Sequence, residues 1–66
     1  MTTTNLLAAL SNASNAANAA YLSNNYPAMV AAYVQLVEVA NLATQNNHYF
    51  LGQEASEMAQ DLRLNF

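Results

Sequence analysis

His48 is the one side chain in this sequence that titrates near neutral pH when unperturbed, and it is therefore the first candidate for proton transfer. A catalytic histidine needs a second group that orients its ring, and a metal site needs several ligands. The nearest acidic residues along the chain, Glu54 and Glu57, fall on a different helical face from His48. We therefore expect His48 to start a helix or to pack at an interface. We predict no catalytic residue, metal site or cofactor, and hence that the protein is not an enzyme.

Three of the four acidic residues, Glu54, Glu57 and Asp61, form a row in the last fifth of the sequence. Such a row could hold a divalent cation weakly or recognise a basic partner. A calcium-binding loop alternates oxygen ligands around a glycine, and this pattern is absent. We interpret the row as the solvated face of a helix.

Asparagine side chains recur at spacings that place them on one side of a helix near the N-terminus, at Asn5, Asn12, Asn15 and Asn18. One interpretation is an uncharged face in contact with solvent. The other is a protein interface at Asn12, Asn15 and Asn18, because an amide offers donors and acceptors without a charge to desolvate. A glycosylation sequon at Asn12-Ala13-Ser14 is expected by chance in a chain so rich in asparagine.

The charge composition excludes several classes of partner. Lysine is absent and Arg63 is the only cation, so the chain has no basic surface for nucleic acid or for an anionic membrane. The longest apolar stretch is interrupted by polar residues, and we predict no membrane-spanning segment. Without cysteine, neither disulfides nor thiolate sites can form.

The charges are also unevenly distributed. Residues 1–37 contain no charged side chain, and all five lie between Glu38 and Arg63. Charged residues make up 8% of the chain, whereas soluble domains carry about 25%. A chain of 66 residues has a thin core and commonly needs a further source of stability. We therefore predict association with protein, as a homo-oligomer or as one of many copies in a larger assembly.

The periodicity predicts an all-α fold, a helical hairpin plus a third helix in a single domain over residues 1–66. The expected helices cover 5–22, 27–45 and 48–64, with Thr4 and Asn47 as caps of the first and third. The break before the second helix is Ser23-Asn24-Asn25-Tyr26-Pro27. Gly52 either lies inside the third helix or delays its start to about Gln53.

Each predicted helix has an apolar stripe. The stripe of the second helix consists of Met29, Ala32, Leu36, Val39 and Ala43, with a second row of Val30, Tyr33, Val34 and Val37 beside it. An apolar arc this wide predicts that the second helix is central and contacts both others. In the first helix, the ridge Ala9/Ala13/Ala17 packs either against the second helix or between chains.

Tyrosine and methionine are enriched in interface cores, which makes Tyr26, Met29 and Tyr33 a candidate partner-facing group. Core packing within the same chain is the competing interpretation.

In composition the chain resembles small bacteriophage virion proteins of the capsid decoration or cement type. The resemblance covers the whole sequence and rests on the Met1-Thr2-Thr3-Thr4-Asn5 start, abundant Ala, Asn and Thr, few charges, and the absence of lysine and cysteine. It implies a structural protein located in the virion, bound in many copies and bridging capsid subunits. The alternative is a small acidic helical adaptor or inhibitor of a host protein, located in the host cytoplasm.

Overall fold

The computed structural model describes residues 2–66 as three helices: α1 (Thr3–Leu22), α2 (Tyr26–Gln45) and α3 (Tyr49–Arg63). Three-residue connections join successive helices, so α2 runs antiparallel to α1 and α3. The bundle measures 34 × 18 × 13 Å. Both outer helices pack extensively against α2 and only sparsely against each other. The predicted all-α bundle and the central position of the second helix are therefore confirmed, and the described residues contain no strand.

The start of α1 differs from the prediction. The helix begins at Thr3, and Thr2 is its N-cap, with the Thr2 hydroxyl accepting from the Asn5 N–H at 3.1 Å. Thr4 therefore lies inside the first turn and is not the cap. Threonine can occupy either position, and the sequence of three threonines does not distinguish them.

Asparagines shape both turns, each in a different way. Asn24 and Asn47 adopt left-handed backbone conformations, with φ of 53° and 64°, which asparagine tolerates better than most residues. Asn25 caps α2 by accepting from the Ala28 N–H at 3.1 Å. The prediction that Asn47 caps the third helix was wrong. His48 occupies that N-cap position, and its side chain makes no capping hydrogen bond.

In α2, the core is formed by the first of the two rows that the periodicity predicted. In α2, the five residues of the first row are all buried, whereas Val30 and Val34 of the second row are exposed. The outer helices contribute mainly small side chains to this core. The buried apolar residues of the bundle are Leu6, Leu10, Ala13, Ala20, Met29, Ala32, Leu36, Val39, Ala43, Ala55, Ala59 and Leu62.

Gly52 lies within α3 and is buried against α2, so it does not delay the helix to Gln53. A Cβ at this position would lie 2.7 Å from the Thr44 Oγ1 and 3.2 Å from the Ala40 carbonyl oxygen. Glycine lowers helix propensity, but here its missing side chain allows the two helix backbones to approach closely. The glycine therefore fixes where α3 crosses α2.

Candidate interaction surfaces

His48 joins the starts of the two outer helices. Its Nε2 lies 3.4 Å from the Thr3 Oγ1 of α1, and the ring is half-buried. No group of three His, Cys, Asp or Glu residues within 2–66 could hold a metal ion. The contact with Thr3 gives His48 a structural role, in which it brings α1 and α3 together at one end of the bundle.

The acidic row lies along one side of α3. Asp61 and Glu57 are exposed, Glu54 is half-buried, and Gln53 Nε2 donates to Glu57 Oε1 at 3.4 Å. The cation Arg63 faces away from Asp61, because residues two apart differ by about 200° around a helix. Its guanidinium lies 5.9 Å from the centre of the Tyr33 ring. One edge of α3 therefore carries carboxylates without a compensating cation.

The asparagine face of α1 is exposed, as both of its interpretations require. Asn12, Asn15 and Asn18 are all accessible, and within residues 2–66 their side-chain amides have no hydrogen-bonding partner. The structure thus leaves these amides available for solvent or for another protein, and their assignment to an interface stays a prediction.

The structure separates the three members of the predicted partner-facing group. Met29 is only 2% exposed and belongs to the core, so the bundle does not offer it to a partner. Tyr33 is half-buried and packs edge-to-face on Phe66 with ring centres 5.9 Å apart. Tyr26 alone is exposed, at 56%. Core packing was the correct interpretation for Met29. Of the three residues, only Tyr26 has an exposed side chain that a partner could contact.

Tyr26 is the first residue of an exposed apolar row on α2. We define the α2 stripe as Tyr26, Val30 and Val34, which are spaced one turn apart and are each about half exposed, together with the half-buried Val37. No residue from 2 to 37 carries a charge. The α2 stripe is therefore an apolar helix face without a charged residue from Tyr26 to Val37, and it ends at the exposed carboxylate of Glu38, one turn after Val34.

Exposed apolar side chains are common over the rest of the bundle as well. Large hydrophobic residues are accessible on all three helices and at the C-terminal end. They are Leu7, Tyr21, Leu22, Tyr26, Val30, Val34, Leu42, Tyr49, Phe50, Leu64 and Phe66.

A groove of about 290 Å³ lies between the last turns of α1 and α3. Its floor is Leu36 of α2. Each outer helix forms one wall through residues at i, i+3, i+4 and i+7. The wall residues are Ser14, Ala17, Asn18 and Tyr21 of α1, and Met58, Asp61, Leu62 and Asn65 of α3 and the turn after it.

The groove cannot be predicted from the sequence alone. The spacing within each wall is visible in the sequence, but each wall combines apolar with polar residues, so neither wall stands out as one apolar or one polar helix face. Their proximity depends on α1 and α3 lying side by side across α2 with few direct contacts between them. The contact of Arg63 and Phe66 with Tyr33 was missed for the same reason, since it joins residues that are distant along the chain.

No helix within residues 2–66 is both long and apolar enough to cross a membrane. The chain matches no family model, no curated protein and no solved structure.

Proposed function

We propose that this chain is a non-enzymatic structural subunit that binds a larger protein assembly, including other copies of itself, through its exposed apolar helix faces. The proposal rests on how many large hydrophobic side chains are exposed compared with the number of charged ones. Eleven large hydrophobic side chains are exposed among residues 2–66, against five charged residues in the whole sequence. Protein surfaces that remain in water carry more charge than this.

The α2 stripe is the face best suited to this role. Burying apolar surface contributes roughly 25 cal/mol per Å², and the stripe presents two valines and a tyrosine in a straight row. From Tyr26 to Val37 it has no charged group to desolvate on binding, and the carboxylate of Glu38 lies at its end. The exposed amides of Asn12, Asn15 and Asn18 add hydrogen-bonding groups on α1.

The resemblance in composition to capsid decoration and cement proteins supports a more specific proposal. In this proposal the assembly is a bacteriophage capsid, the chain is located in the virion, and many copies bridge neighbouring capsid subunits. A subunit held on a lattice keeps its apolar faces covered, which explains how a surface so poor in charge is tolerated.

Fractionation of source material on a density gradient tests the proposal, with quantitative mass spectrometry of each fraction. We expect the chain to sediment with particles at a fixed ratio to the major structural protein. Recovery only in the light, particle-free fractions would contradict it.

The acidic edge of α3 favours a second candidate, a small helical adaptor or inhibitor of a host protein. Glu54, Glu57 and Asp61 lie there without a compensating cation. This alternative expects a soluble 1:1 or 2:2 complex with one partner in a pull-down, whereas the structural proposal expects a multi-copy particle.

A further inference from the structure

We infer that the α2 stripe pairs with the α2 stripe of a second copy of the chain, with the two α2 helices antiparallel about a twofold axis level with Ala32. The inference deepens the proposed function and rests on it, because it assigns an occupant to the face that carries that proposal. A second copy is the occupant because the apolar residues, the charge and the end of α3 each complement themselves in this arrangement.

The exposed side of α2 carries a heptad pattern. Pro27, Val30, Val34 and Val37 follow one another at spacings of three, four and three residues, which places them on one side of the helix. Val37 is half-buried and the other three are exposed. In an antiparallel copy, Val30 lies level with the partner's Val34, and Pro27 lies level with the partner's Val37, because both pairs are centred on Ala32. Every layer of the contact is therefore apolar on both sides.

The position of Glu38 selects the antiparallel orientation. Glu38 is the only charged residue of α2 and directly follows Val37. In a parallel pair, the two carboxylates would lie level with each other beside the apolar layers and repel. In the antiparallel pair, the partner's Glu38 lies level with Tyr26, about 18 Å along the axis from Glu38. Charges this far apart are largely screened at physiological salt, and antiparallel helix dipoles attract.

The end of α3 leaves the first turns of α2 uncovered on one side. The first turn of α3 packs against the last turns of α2 at Gly52, and Phe66, beyond the end of α3, packs on Tyr33. Tyr33 is a neighbour of the stripe on the surface of α2. Residues 26–32 of α2 therefore extend past α3 by about 10 Å. The stripe residues of this segment are about half exposed.

Twofold pairing covers this segment. An axis perpendicular to the plane of the two α2 helices keeps both α3 helices on the same side of the pair, each along a different half. The partner's α3 then lies beside the first turns of α2, and the C-terminal ends of the two α3 helices meet near the axis. The arrangement thus covers five of the eleven exposed large hydrophobic side chains, which are Tyr26, Val30, Val34, Leu64 and Phe66.

The size of the contact indicates a reversible dimer. The apolar layers from Pro27 to Val37 span about 15 Å along a helix about 10 Å wide. Even with the ends of α3 added, this surface is smaller than the roughly 800 Å² per partner that stable interfaces bury. We therefore expect pairing at high concentration, such as that of copies held side by side in an assembly.

Sedimentation equilibrium of the full chain tests the pairing at concentrations from about 10 µM to 1 mM, the range of weak dissociation constants. The average mass of the wild type should rise from 7.1 kDa towards twice that value. Val34→Lys places a charge among the apolar layers and should remain monomeric. Gln35→Lys adds the same charge at an exposed position outside the layers, and it should dimerise as the wild type does.

Introduced thiols test the orientation, because the chain contains no cysteine. Val30→Cys chains are mixed with isotope-labelled Val34→Cys chains and oxidised, and the disulfide-linked dimers are sorted by mass. A disulfide requires Cα atoms within about 7 Å, and these two positions lie level only in the antiparallel pair. We expect mixed disulfides to exceed the half that random pairing gives. A parallel pair would link each variant to its own kind.

The inference is overturned if the wild type stays monomeric throughout, if Val34→Lys associates as the wild type does, or if mixed disulfides do not exceed half. Any of these results with intact particle association would leave the proposed function standing, with a different protein on the α2 stripe. Antiparallel pairing without particle association would support the inference and contradict the proposed function.

Discussion

Gly52 of α3 and Thr44 of α2 meet so closely that a Cβ on the glycine would lie 2.7 Å from the Thr44 Oγ1. The threonine cannot easily give way, because its hydroxyl donates to the Ala40 carbonyl at 2.9 Å. This contact sets the separation of the two helices that share the largest interface in the bundle.

Gly52→Ala is expected to destabilise the bundle even though alanine is the better helix former. Removing an interior glycine contributes about 1 kcal/mol in favour of the helix, but overpacking of a tight interface costs about 1–3 kcal/mol. We expect a net decrease in the free energy of unfolding, measured by urea denaturation. Thr44→Ala in the same chain should recover part of the loss. A gain in stability in the single variant would show that the helices are not in close contact.

Phe66 is expected to stabilise the bundle through its edge-to-face contact with Tyr33. Aromatic pairs of this geometry contribute about 0.5–1.5 kcal/mol beyond area burial. Phe66→Ala should therefore lower the unfolding free energy by about 1 kcal/mol or more. Leu64→Ala serves as the matched control, because Leu64 is 86% exposed and its removal should change little. Equal effects of the two substitutions would argue against the Tyr33–Phe66 contact.

Asn25→Ala is expected to weaken α2 at its start, because the side chain of Asn25 accepts from the Ala28 N–H. Loss of such a cap costs about 0.5–2 kcal/mol. Asn41→Ala, an exposed position in the interior of the same helix, should be neutral or slightly stabilising. Thermal unfolding followed by circular dichroism compares the two. A lower melting temperature for Asn41→Ala than for Asn25→Ala would contradict the capping role.

Ala13→Lys is expected to prevent folding, since Ala13 is 1% exposed at the centre of the α1 interface with the core. An unpaired charge in such a position costs on the order of 3–5 kcal/mol, a large fraction of the stability of a small domain. Ala8→Lys, at an exposed site of α1, controls for the added charge. Retained helical content in Ala13→Lys would place the alanine ridge outside the core.

Much of the fold follows from local patterns in the sequence. The buried row of α2 has the spacing of one helix face, and the asparagines before Pro27 mark the first turn. The first residue of α1 is harder to predict from the sequence, because Thr2, Thr3 and Thr4 can each act as the N-cap. For α3, an asparagine just before the helix predicts an N-cap at Asn47, but Asn47 has a left-handed backbone and lies in the preceding turn, and His48 takes the N-cap position.

The candidate surfaces depend on tertiary geometry more than the positions of the helices do. Tyrosine and methionine are both enriched in interface cores, and the sequence therefore predicts the same role for Tyr26 and Met29. Met29 is buried and Tyr26 is exposed, because only the Met29 side of α2 faces the outer helices. The groove between α1 and α3 requires knowing that these helices lie side by side with a gap. Neither fact is present in the periodicity of a single helix.

The most direct test of the central claim is density-gradient fractionation of source material in which the chain is either wild type or the Val30→Lys/Val34→Lys variant. Both valines are exposed, so the variant should fold as the wild type does. We predict that the wild-type chain sediments with particles at a fixed ratio to their major protein, and that the variant remains in the particle-free fractions. A matched Gln35→Lys/Gln45→Lys variant, with the same added charge at exposed polar positions of α2, should still sediment with particles. A wild-type chain found only in the particle-free fractions would contradict the account.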